Sequence, residues 1–286
     1  MPDAHSRHLS LVRDVLDGVL AVAFPTDCSL CGNELSGRLW LRVCPDCWAS
    51  LQPWSGPLCA RCGLPFISPH ALDSSVAQCR ACRADEPGFD GARSFGLYAG
   101  RLRQAVLRVK FSGDERLGKR LGTLLANPWD LLPWAGESDS PLIHPVPLHP
   151  SRWRERGFNQ SELLAMGLVR ALRRQRVGTG PQIERDWLRR KRATVPQTGL
   201  SVSARRENLR GAFEVVKRDA VRGRRIVLVD DVMTTGATLS TCARTLKRAG
   251  AAQVMGLTLA RATPQFPDFS RVDDDNTVDG LDRDST

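Results

Sequence analysis

The stretch IVLVDDVMTTGATL, residues 226–239, decides the fold of this 286-residue chain. Its first four residues are apolar and have the length of a buried β-strand, and the carboxylates of Asp230 and Asp231 follow directly. The pattern predicts a strand over 226–229, a tight turn, and a helix over about 238–249 that Gly250 ends. The buried face of that helix is predicted from apolar side chains at helical spacing: Leu239, Cys242, Ala243 and Leu246.

The turn between this strand and this helix suits a sugar phosphate. Backbone N–H groups at the start of a helix and the helix dipole attract anions, and the threonine hydroxyls within 234–238 add donors. Gly236 allows the backbone to approach a ligand closely. Asp230 and Asp231 lie at the carboxyl end of the strand, where open α/β sheets bind ligands. Ribose 5-phosphate meets both demands, and an ordinary strand–turn–helix with a threonine cap is the alternative.

Strands and helices alternate along the C-terminal two-thirds of the chain. Apolar runs predict further strands over 92–98, 142–146 and 253–259. Apolar residues at helical spacing predict further helices over 101–110, 115–126 and 161–174. This alternation predicts an α/β fold with a doubly wound, mostly parallel sheet.

Eight of the nine cysteines form four CxxC pairs in the N-terminal third of the chain. The pairs are Cys28/Cys31, Cys44/Cys47, Cys59/Cys62 and Cys79/Cys82. The first two pairs are separated by 12 residues and the last two by 16, which is enough for a short hairpin. We therefore expect two successive zinc ribbons, with cross-paired knuckles or iron–sulfur ligation as alternatives. Because all four ligands of each site would be sulfur, no position stays open for catalysis, and both zinc ions should be structural.

Composition divides the chain into four parts. We predict an amphipathic N-terminal helix over 1–23, a double zinc ribbon over 24–90, an α/β domain over 91–263 and an acidic, disordered tail over 264–286. The one long apolar run near the N-terminus is interrupted by three charged residues, so no membrane span is expected. A cytoplasmic location follows, and cysteines there stay reduced and available to metal.

Positive charge is concentrated in the predicted α/β domain. The whole chain has a formal net charge of +10, whereas residues 91–263 hold 32 basic and 14 acidic side chains. A polyanion such as single-stranded DNA would therefore meet this domain and not the cysteine-rich one. A solvated basic surface is the alternative, and the sparse aromatic residues argue against a platform on which bases stack.

Residues 226–239 resemble the phosphoribosyl pyrophosphate (PRPP) motif of type I phosphoribosyltransferases, in which an acidic pair and T-T-G-x-T follow an apolar strand. The resemblance implies that Asp230 and Asp231 hold the ribose hydroxyls. It also implies PRPP binding, chiefly of the 5-phosphate, by the residues that follow: Val232, Met233, Thr234, Thr235, Gly236, Ala237 and Thr238. Mg²⁺ would accompany PRPP and neutralise its pyrophosphate group.

From about residue 24 to residue 261 the chain is similar to the ComF family, whose members are associated with competence for DNA uptake. The similarity rests on the CxxC pairs, the PRPP motif and four further segments. These segments are VKFSGD (109–114), RGFNQ (156–160), RATVPQTGL (192–200) and RRENLRGAF (205–213). The resemblance implies a zinc-bearing module fused to a phosphoribosyltransferase domain, with a role in handling incoming DNA alongside DNA-uptake proteins.

Four residues outside the motif are further candidates for the same site. Val146 ends a predicted strand, where phosphoribosyltransferases bind pyrophosphate through backbone amides, and we assign it a PRPP-binding role. Arg156 follows in a basic stretch, and Arg192 lies in the basic stretch 191–206, which suits a mobile lid or a solvated loop. We assign both arginines catalytic roles beside the acidic pair. Lys110 is a candidate PRPP ligand, although a cation at a helix end also suits the helix dipole.

Other polar residues near these candidates have structural alternatives. Asn159 and Glu162 have the spacing of a capping box for the helix over 161–174, so Asn159 is either a helix cap or a ligand contact. His144 and His149 flank the predicted pyrophosphate loop, and nothing in the sequence makes either of them a general base.

Two classes of function follow from these features. The first is an enzyme that uses PRPP and Mg²⁺ to transfer a phosphoribosyl group to an unidentified acceptor. The second is a binding module that senses PRPP or a nucleotide, or holds single-stranded DNA, with the zinc ribbons docking a partner. Binding through many phosphates weakens steeply with salt, so salt dependence distinguishes the two classes.

Overall fold

The computed structural model describes residues 27–35, 42–66, 77–134, 141–175, 180–192, 209 and 211–263. The predicted helix over 1–23 and the predicted tail over 264–286 lie outside these residues, as does most of the predicted lid over 191–206. Within the described ranges, no helix combines the length and the apolarity that a membrane span requires.

A four-stranded parallel sheet lies at the centre of the described structure. The strands are β1 (Gly91–Leu97), β2 (Leu142–Pro145), β3 (Leu188–Arg190), β4 (Phe213–Val215), β5 (Arg225–Met233) and β6 (Gln253–Arg261). The order across the central sheet is β1-β6-β5-β2, and all three pairings are parallel. β3 and β4 form a separate antiparallel pair. The predicted parallel sheet is confirmed.

Two short helices precede β1, and the other described helices lie between the strands. They are α1 (Pro45–Ala49), α2 (Arg80–Ala84), α3 (Gly100–Ser112), α4 (Glu115–Gly122), α5 (Ala126–Trp129), α6 (Pro150–Arg156), α7 (Gln160–Gln175), α8 (Arg218–Val221) and α9 (Ala237–Arg248). The predicted helix over 115–126 is divided, because α4 ends at Gly122 and a 3₁₀ turn follows. The short elements α1, α2, α6, α8, β3 and β4 were not predicted, since none is long enough to show a period.

The structure corrects the predicted end of the motif strand. β5 continues through the acidic pair to Met233, whereas the sequence predicted an end at Val229. The cause is its pairing with β6, in which Asp230 lies opposite Thr258 and Met233 lies opposite Arg261. The backbone of the acidic pair is therefore fixed by a parallel ladder and not by a turn.

Helices cover both faces of the sheet because alternate residues of β5 point to opposite sides. Val227 and Val229 join an apolar cluster with α3, α4 and α7. Ile226 and Leu228 join a second cluster on the other face, with α9. The predicted apolar face of α9 is buried in this second cluster, including Cys242. This is the doubly wound arrangement that the alternating sequence predicts.

The two cysteine-rich units pack against the β1 side of the sheet. The backbone N–H of Trp54 donates to the Phe95 carbonyl at 2.8 Å, and the Ala92 N–H donates to the Arg61 carbonyl at the same distance. The first unit joins the apolar cluster of α3, α4 and α7, whereas the second joins the cluster of α9. The two units therefore cover the outer edge of β1 and contribute to both faces of the core.

Helices α4 and α7 approach each other through two glycines. A Cβ placed on Gly167 would lie 2.0 Å from the carbonyl oxygen of Lys119. A Cβ on Gly122 would lie 2.3 Å from the carbonyl oxygen of Leu164. Both contacts are with backbone atoms, so neither can be relieved by rotating a side chain. The two helices would have to separate to admit a single methyl group.

We expect Gly167→Ala to lower the free energy of unfolding by about 2 kcal/mol or more, because it overpacks a backbone contact. Urea unfolding followed by circular dichroism measures the change. Met166→Ala is the control on the same helix, since Met166 is 38% exposed and its truncation should have little effect. A Gly167→Ala protein as stable as the Met166→Ala protein would contradict the close helix contact.

Candidate functional site

The acidic pair lies at the carboxyl edge of the sheet and has protein partners on both carboxylates. Asp230 Oδ1 accepts hydrogen bonds from Ser161 Oγ and from the backbone N–H of Asp231, both at 2.9 Å. Asp231 Oδ2 lies 2.9 Å from Lys110 Nζ, and Asp231 Oδ1 accepts the Val232 N–H at 2.7 Å. Ser161 lies in the first turn of α7 and Lys110 lies near the end of α3, so three segments distant in sequence meet at this pair.

Lys110 and Asp231 form an ion pair that is largely removed from water. Their side chains are 21% and 10% exposed, respectively. Burial lowers the pKa of Lys110, but the Asp231 carboxylate outweighs this effect and the pKa lies above its ordinary value. Lys110 is therefore charged at neutral pH, and it balances the charge of the acidic pair.

The Asp230 carboxyl titrates near neutral pH. Burial raises its pKa to about 7, and the neighbouring Asp231 carboxylate adds to the increase. The Asp231 N–H, the Ser161 hydroxyl and the Lys110 ammonium oppose the shift. A hydrogen-bond donor that reaches this carboxylate would favour the ionised form. The protonation state of Asp230 can therefore respond to a ligand.

The β5–α9 loop, residues 234–236, follows the acidic pair and precedes α9. Thr234 and Thr235 are exposed, whereas Gly236 is buried. Gly236 has a φ of 78°, in the left-handed region that favours glycine, and a Cβ there would also displace the end of the Met233 side chain. The Ala237 N–H donates to Thr235 Oγ1 at 3.4 Å, and the N-terminus of a helix such as α9 favours an anion. The loop and the acidic pair thus form one polar edge.

Two residues predicted to bind PRPP, Val232 and Met233, lie within β5. Met233 is buried, and its carbonyl accepts hydrogen bonds from the Ala262 N–H and the Arg261 guanidinium, each at 3.0 Å. The Arg261 guanidinium also donates to the Thr234 carbonyl. The other five predicted residues, 234–238, form the loop and the first turn of α9. Their phosphate-binding role stays a prediction.

Val146 lies beside the acidic pair because β2 is the next strand. Its N–H donates to the Val229 carbonyl at 2.9 Å, and its own carbonyl accepts a hydrogen bond from Asn159 Nδ2 at 3.0 Å. Asn159 Oδ1 also accepts the Ser161 N–H at 3.1 Å and so caps α7. Asn159 has the structural role left open by the sequence, and Glu162 pairs with Arg185 on the exposed side of the helix.

The two arginines proposed as catalytic differ in their surroundings. Arg156 ends α6, donates to Gln160 Oε1 at 3.2 Å and lies 5.9 Å from the centre of the Phe111 ring. Phe111 follows Lys110 in the chain and is 76% exposed. Arg156 is thus close to the segment that carries Lys110. Arg192 is exposed at the end of a described stretch, and its catalytic role stays a prediction.

The two histidines beside β2 have structural contacts. His144 is fully buried, and its Nε2 accepts the backbone N–H of Leu188 at 3.2 Å. Burial lowers the pKa of His144 to about 4, so the ring is neutral at physiological pH. His149 caps α6 by accepting the Ser151 N–H at 3.2 Å. These contacts account for both residues without a role as a base.

The eight paired cysteines bring their sulfurs together in two groups. Four zinc–sulfur bonds of about 2.3 Å in a tetrahedron place the sulfurs about 3.8 Å apart. In agreement, Cys31 Sγ and Cys44 Sγ lie 3.8 Å apart, and Cys62 Sγ and Cys79 Sγ lie 3.7 Å apart. All four sulfurs of each group lie within 4.8 Å of one another, and they define site 1 (Cys28, Cys31, Cys44, Cys47) and site 2 (Cys59, Cys62, Cys79, Cys82). The all-sulfur donor sets fit two structural zinc ions, grouped in succession as predicted.

Site 2 and the β5–α9 loop line one cavity of about 820 Å³. Cys62 and Cys82 form one wall, and the outer side of α9 forms another through Ser240 and Arg244. Phe213, Glu214 and Val215 of β4 contribute the third wall. A cavity of this size can hold a nucleotide-sized ligand. The second zinc ribbon therefore lies directly beside the loop.

Two residues that hold this edge together, Ser161 and Arg261, were not predicted from the sequence. Ser161 was predicted only as part of a helix start, where serine is ordinary. Arg261 was missed because the strand was predicted to end at residue 259, which placed the arginine in a loop. One signal in the sequence could have identified Arg261. It is a cation just after an apolar strand, and the carboxyl edge of such a sheet is where ligands bind.

The fold and the site define a class of protein, in which a phosphoribosyltransferase-like α/β domain carries a double zinc ribbon. Comparison with known domain families agrees with this description. Residues 19–84 match the double zinc ribbon domain, and residues 160–277 match the phosphoribosyl transferase domain.

Similar proteins match over most of the chain. Competence protein F of Haemophilus influenzae is 30% identical over 230 residues, which cover 77% of this chain and 90% of that protein. DNA utilization protein YhgH of Escherichia coli is 33% identical over 238 residues, covering 83% and 97%. Competence protein ComFC of Bacillus subtilis is 28% identical over 246 residues, covering 82% and 95%. The chain belongs to the ComF family, as the resemblance of its motifs predicted.

We expect the purified protein to contain two zinc ions per chain. Cys47→Ser and Cys82→Ser should each lower the content to one, because each removes one of four ligands from a different site. Cys242→Ala is the control, since Cys242 is buried alone in α9 and should leave both ions in place. Zinc is measured by mass spectrometry of the metal. Retention of two ions by Cys82→Ser would contradict the assignment of site 2.

Proposed function

We propose that this protein binds PRPP at the carboxyl edge of its sheet and transfers the phosphoribosyl group to an acceptor. The supporting observation is that Asp230 and Asp231 share one edge with the β5–α9 loop. A ribose 5-phosphate site needs two parts. Carboxylates accept hydrogen bonds from the sugar hydroxyls, and the N–H groups at a helix N-terminus donate to the phosphate.

In this proposal each element of the edge has a separate task. Asp230 and Asp231 accept hydrogen bonds from the ribose hydroxyls, and residues 234–238 bind the 5-phosphate. Lys110 neutralises Asp231 in the absence of ligand, and in this proposal it contacts PRPP when PRPP binds. Both carboxylates already have protein partners, Lys110 and Ser161, so Mg²⁺ fits better on pyrophosphate oxygens and water than on this pair.

The proposed transfer breaks the bond from C1 of the ribose to pyrophosphate and forms a bond from C1 to the acceptor. The chain contributes position and charge stabilisation. The cations of Arg156 and Arg192 bind the pyrophosphate as it leaves. Val146 was predicted to bind it through its backbone amide, but this N–H already donates to the Val229 carbonyl, so Val146 instead holds the end of β2 beside the acidic pair. Mg²⁺, when bound, supplies further neutralisation of its charge.

The names of the relatives suggest the biological setting. The Haemophilus influenzae and Bacillus subtilis relatives are named competence proteins, and the Escherichia coli relative is named a DNA utilization protein. We propose that this chain acts in the cytoplasm in DNA uptake or use, with DNA-uptake proteins as partners. We also propose the division into parts at 1–23, 24–90, 91–263 and 264–286.

Single-stranded DNA binding is the second candidate function. The excess of basic residues in 91–263 favours it, and Arg218, Arg244 and Arg248 line the cavity next to the β5–α9 loop. In this alternative the protein is a non-catalytic module that holds DNA or senses PRPP or a nucleotide. The zinc ribbons would then dock a partner.

Asp231→Asn should weaken binding of Mg²⁺–PRPP by about tenfold to a hundredfold, because an amide is a poorer acceptor for a ribose hydroxyl than a carboxylate. Calorimetric titration with and without Mg²⁺ measures the affinity. Single-stranded DNA should bind this variant as well as it binds the wild type, with affinity that falls steeply as salt increases.

Asp219→Asn is the matched control for that variant, because Asp219 is exposed in α8 of the same domain. It should leave both affinities unchanged. If folded, zinc-loaded wild-type protein binds DNA but no PRPP, the second candidate function replaces the first. If Asp231→Asn weakens the binding of PRPP and of single-stranded DNA equally, the two ligands do not use separable contacts.

The affinity for ribose 5-phosphate should increase with pH in a way that depends on Asp230. The pKa of Asp230 is raised to about 7. Below that pH a proton must leave before the carboxylate can accept a ribose hydroxyl, so affinity falls as pH falls. Between about pH 6 and about pH 8 we expect a roughly tenfold gain that Asp230→Asn lacks. The ligand's own titration is common to both proteins, so identical pH profiles would rule out this role of Asp230.

A further inference from the structure

Arg261 is a buried cation at the edge where the proposed ligand binds. It is the last residue of β6 and only 5% exposed. A buried guanidinium must find hydrogen-bond acceptors and negative charge nearby, because removing it from water is costly. In the described part of the chain its contacts go to backbone carbonyls on one side and to a cysteine of site 2 on the other.

On the first side, Arg261 holds two successive carbonyls where β5 becomes the β5–α9 loop. Its Nη1 donates to the Met233 carbonyl at 3.0 Å and also to the Thr234 carbonyl. Within a planar trans peptide, the C=O of one residue and the N–H of the next point in opposite directions. Fixing these two carbonyls toward Arg261 therefore directs the N–H groups of Thr234 and Thr235 away from it. One guanidinium thus orients two donors of the loop.

On the second side, Arg261 Nη2 lies 3.9 Å from Cys62 Sγ. Four thiolates around one zinc ion give site 2 a net charge of about −2. This is the anionic group that Arg261 contacts among the described residues, since its remaining hydrogen bonds go to neutral carbonyls. Outer-shell donors to metal ligands commonly tune metal affinity. The same guanidinium therefore belongs both to the surroundings of the zinc site and to the loop.

We propose that Arg261 is a positioning residue through which the zinc ion of site 2 orients the N–H groups of the β5–α9 loop for phosphate. The inference rests on the proposed function for the identity of the ligand, but not for the link between site 2 and the loop. By thermodynamic linkage, a phosphate compound that binds the oriented loop must also strengthen zinc binding at site 2.

Arg93 provides a matched control. It also lies close to site 2, where the charges of Cys59 and Cys62 act on it. Its Nη1 donates to the Ala60 and Ala92 carbonyls, at 3.1 Å and 2.8 Å, which belong to the second ribbon and to β1. If Arg261→Met acted only by loosening the second ribbon, Arg93→Met should therefore have the same effects. Only the Arg261 change removes contacts to the loop.

The test compares wild-type protein, Arg261→Met, Arg261→Lys and Arg93→Met, all as full chains loaded with zinc. Hydrogen–deuterium exchange of peptides that cover 229–237 reports, without any ligand, how often the paired end of β5 opens together with the loop. Chelator competition reports zinc affinity, with and without saturating ribose 5-phosphate. Calorimetry with ribose 5-phosphate reports the affinity of the loop.

For Arg261→Met we expect about tenfold faster exchange where β5 meets the loop, about tenfold weaker zinc binding at one of the two sites, and about tenfold weaker ribose 5-phosphate binding. Arg261→Lys should fall between this variant and the wild type, because an ammonium keeps the charge but cannot reach all three acceptors. Ribose 5-phosphate should tighten zinc in the wild type and not in Arg261→Met. Arg93→Met should leave loop exchange unchanged.

Wild-type loop exchange in folded Arg261→Met would overturn the proposal, and so would equal acceleration by Arg93→Met. If Arg261→Met does not fold, Arg261→Lys decides in the same way. If the wild type binds no ribose 5-phosphate, the proposed function fails. The exchange and zinc measurements still decide whether site 2 orders the loop through Arg261.

Discussion

The parallel pairing of β5 with β6 is the constraint on which the candidate site depends. Its register places Asp230 opposite Thr258 and Met233 opposite Arg261. The acidic pair, the start of the β5–α9 loop and a buried cation therefore reach the same edge of the sheet. Because β5 lies inside the sheet, between β6 and β2, its backbone is held on both sides. Little conformational freedom remains for the carboxylates at its end, which is what a site that positions a ligand requires.

Burial of charge at this edge explains why distant segments must come together. Lys110 balances Asp231, and site 2 lies against the guanidinium of Arg261. A buried charge without its partner is strongly destabilising, so each pair ties a separate part of the chain to the sheet. These contacts join α3 to β5 and the second ribbon to β6. The contacts that balance the buried charges at this edge are therefore the same contacts that hold its segments together.

The sequence predicted the parts of the molecule that repeat a local pattern. The apolar runs of β5 and β6, the face of α9 and the CxxC pairs each follow a spacing that short-range chemistry dictates. Contacts such as Ser161 with Asp230 could not be predicted in this way, because they depend on how α7 packs beside β5. The length of β5 was misjudged for the same reason, since pairing with β6 extends a strand beyond its apolar run. Arg261 was missed because its partners lie in other segments.

Both zinc ribbons contact the α/β domain close to the candidate site. Arg42 lies within the first ribbon, and its Nε is 3.0 Å from Oδ2 of Asp114. Asp114 caps α4, which directly follows α3, the helix that carries Lys110. Cys62 of the second ribbon contacts Arg261, which in turn donates to the carbonyls of Met233 and Thr234 at the start of the β5–α9 loop. The first ribbon thus contacts the segment next to the Lys110–Asp231 ion pair, and the second ribbon contacts the residue that holds the loop. An all-sulfur zinc site suits this task, because it provides a rigid, anionic anchor and no reactive position of its own.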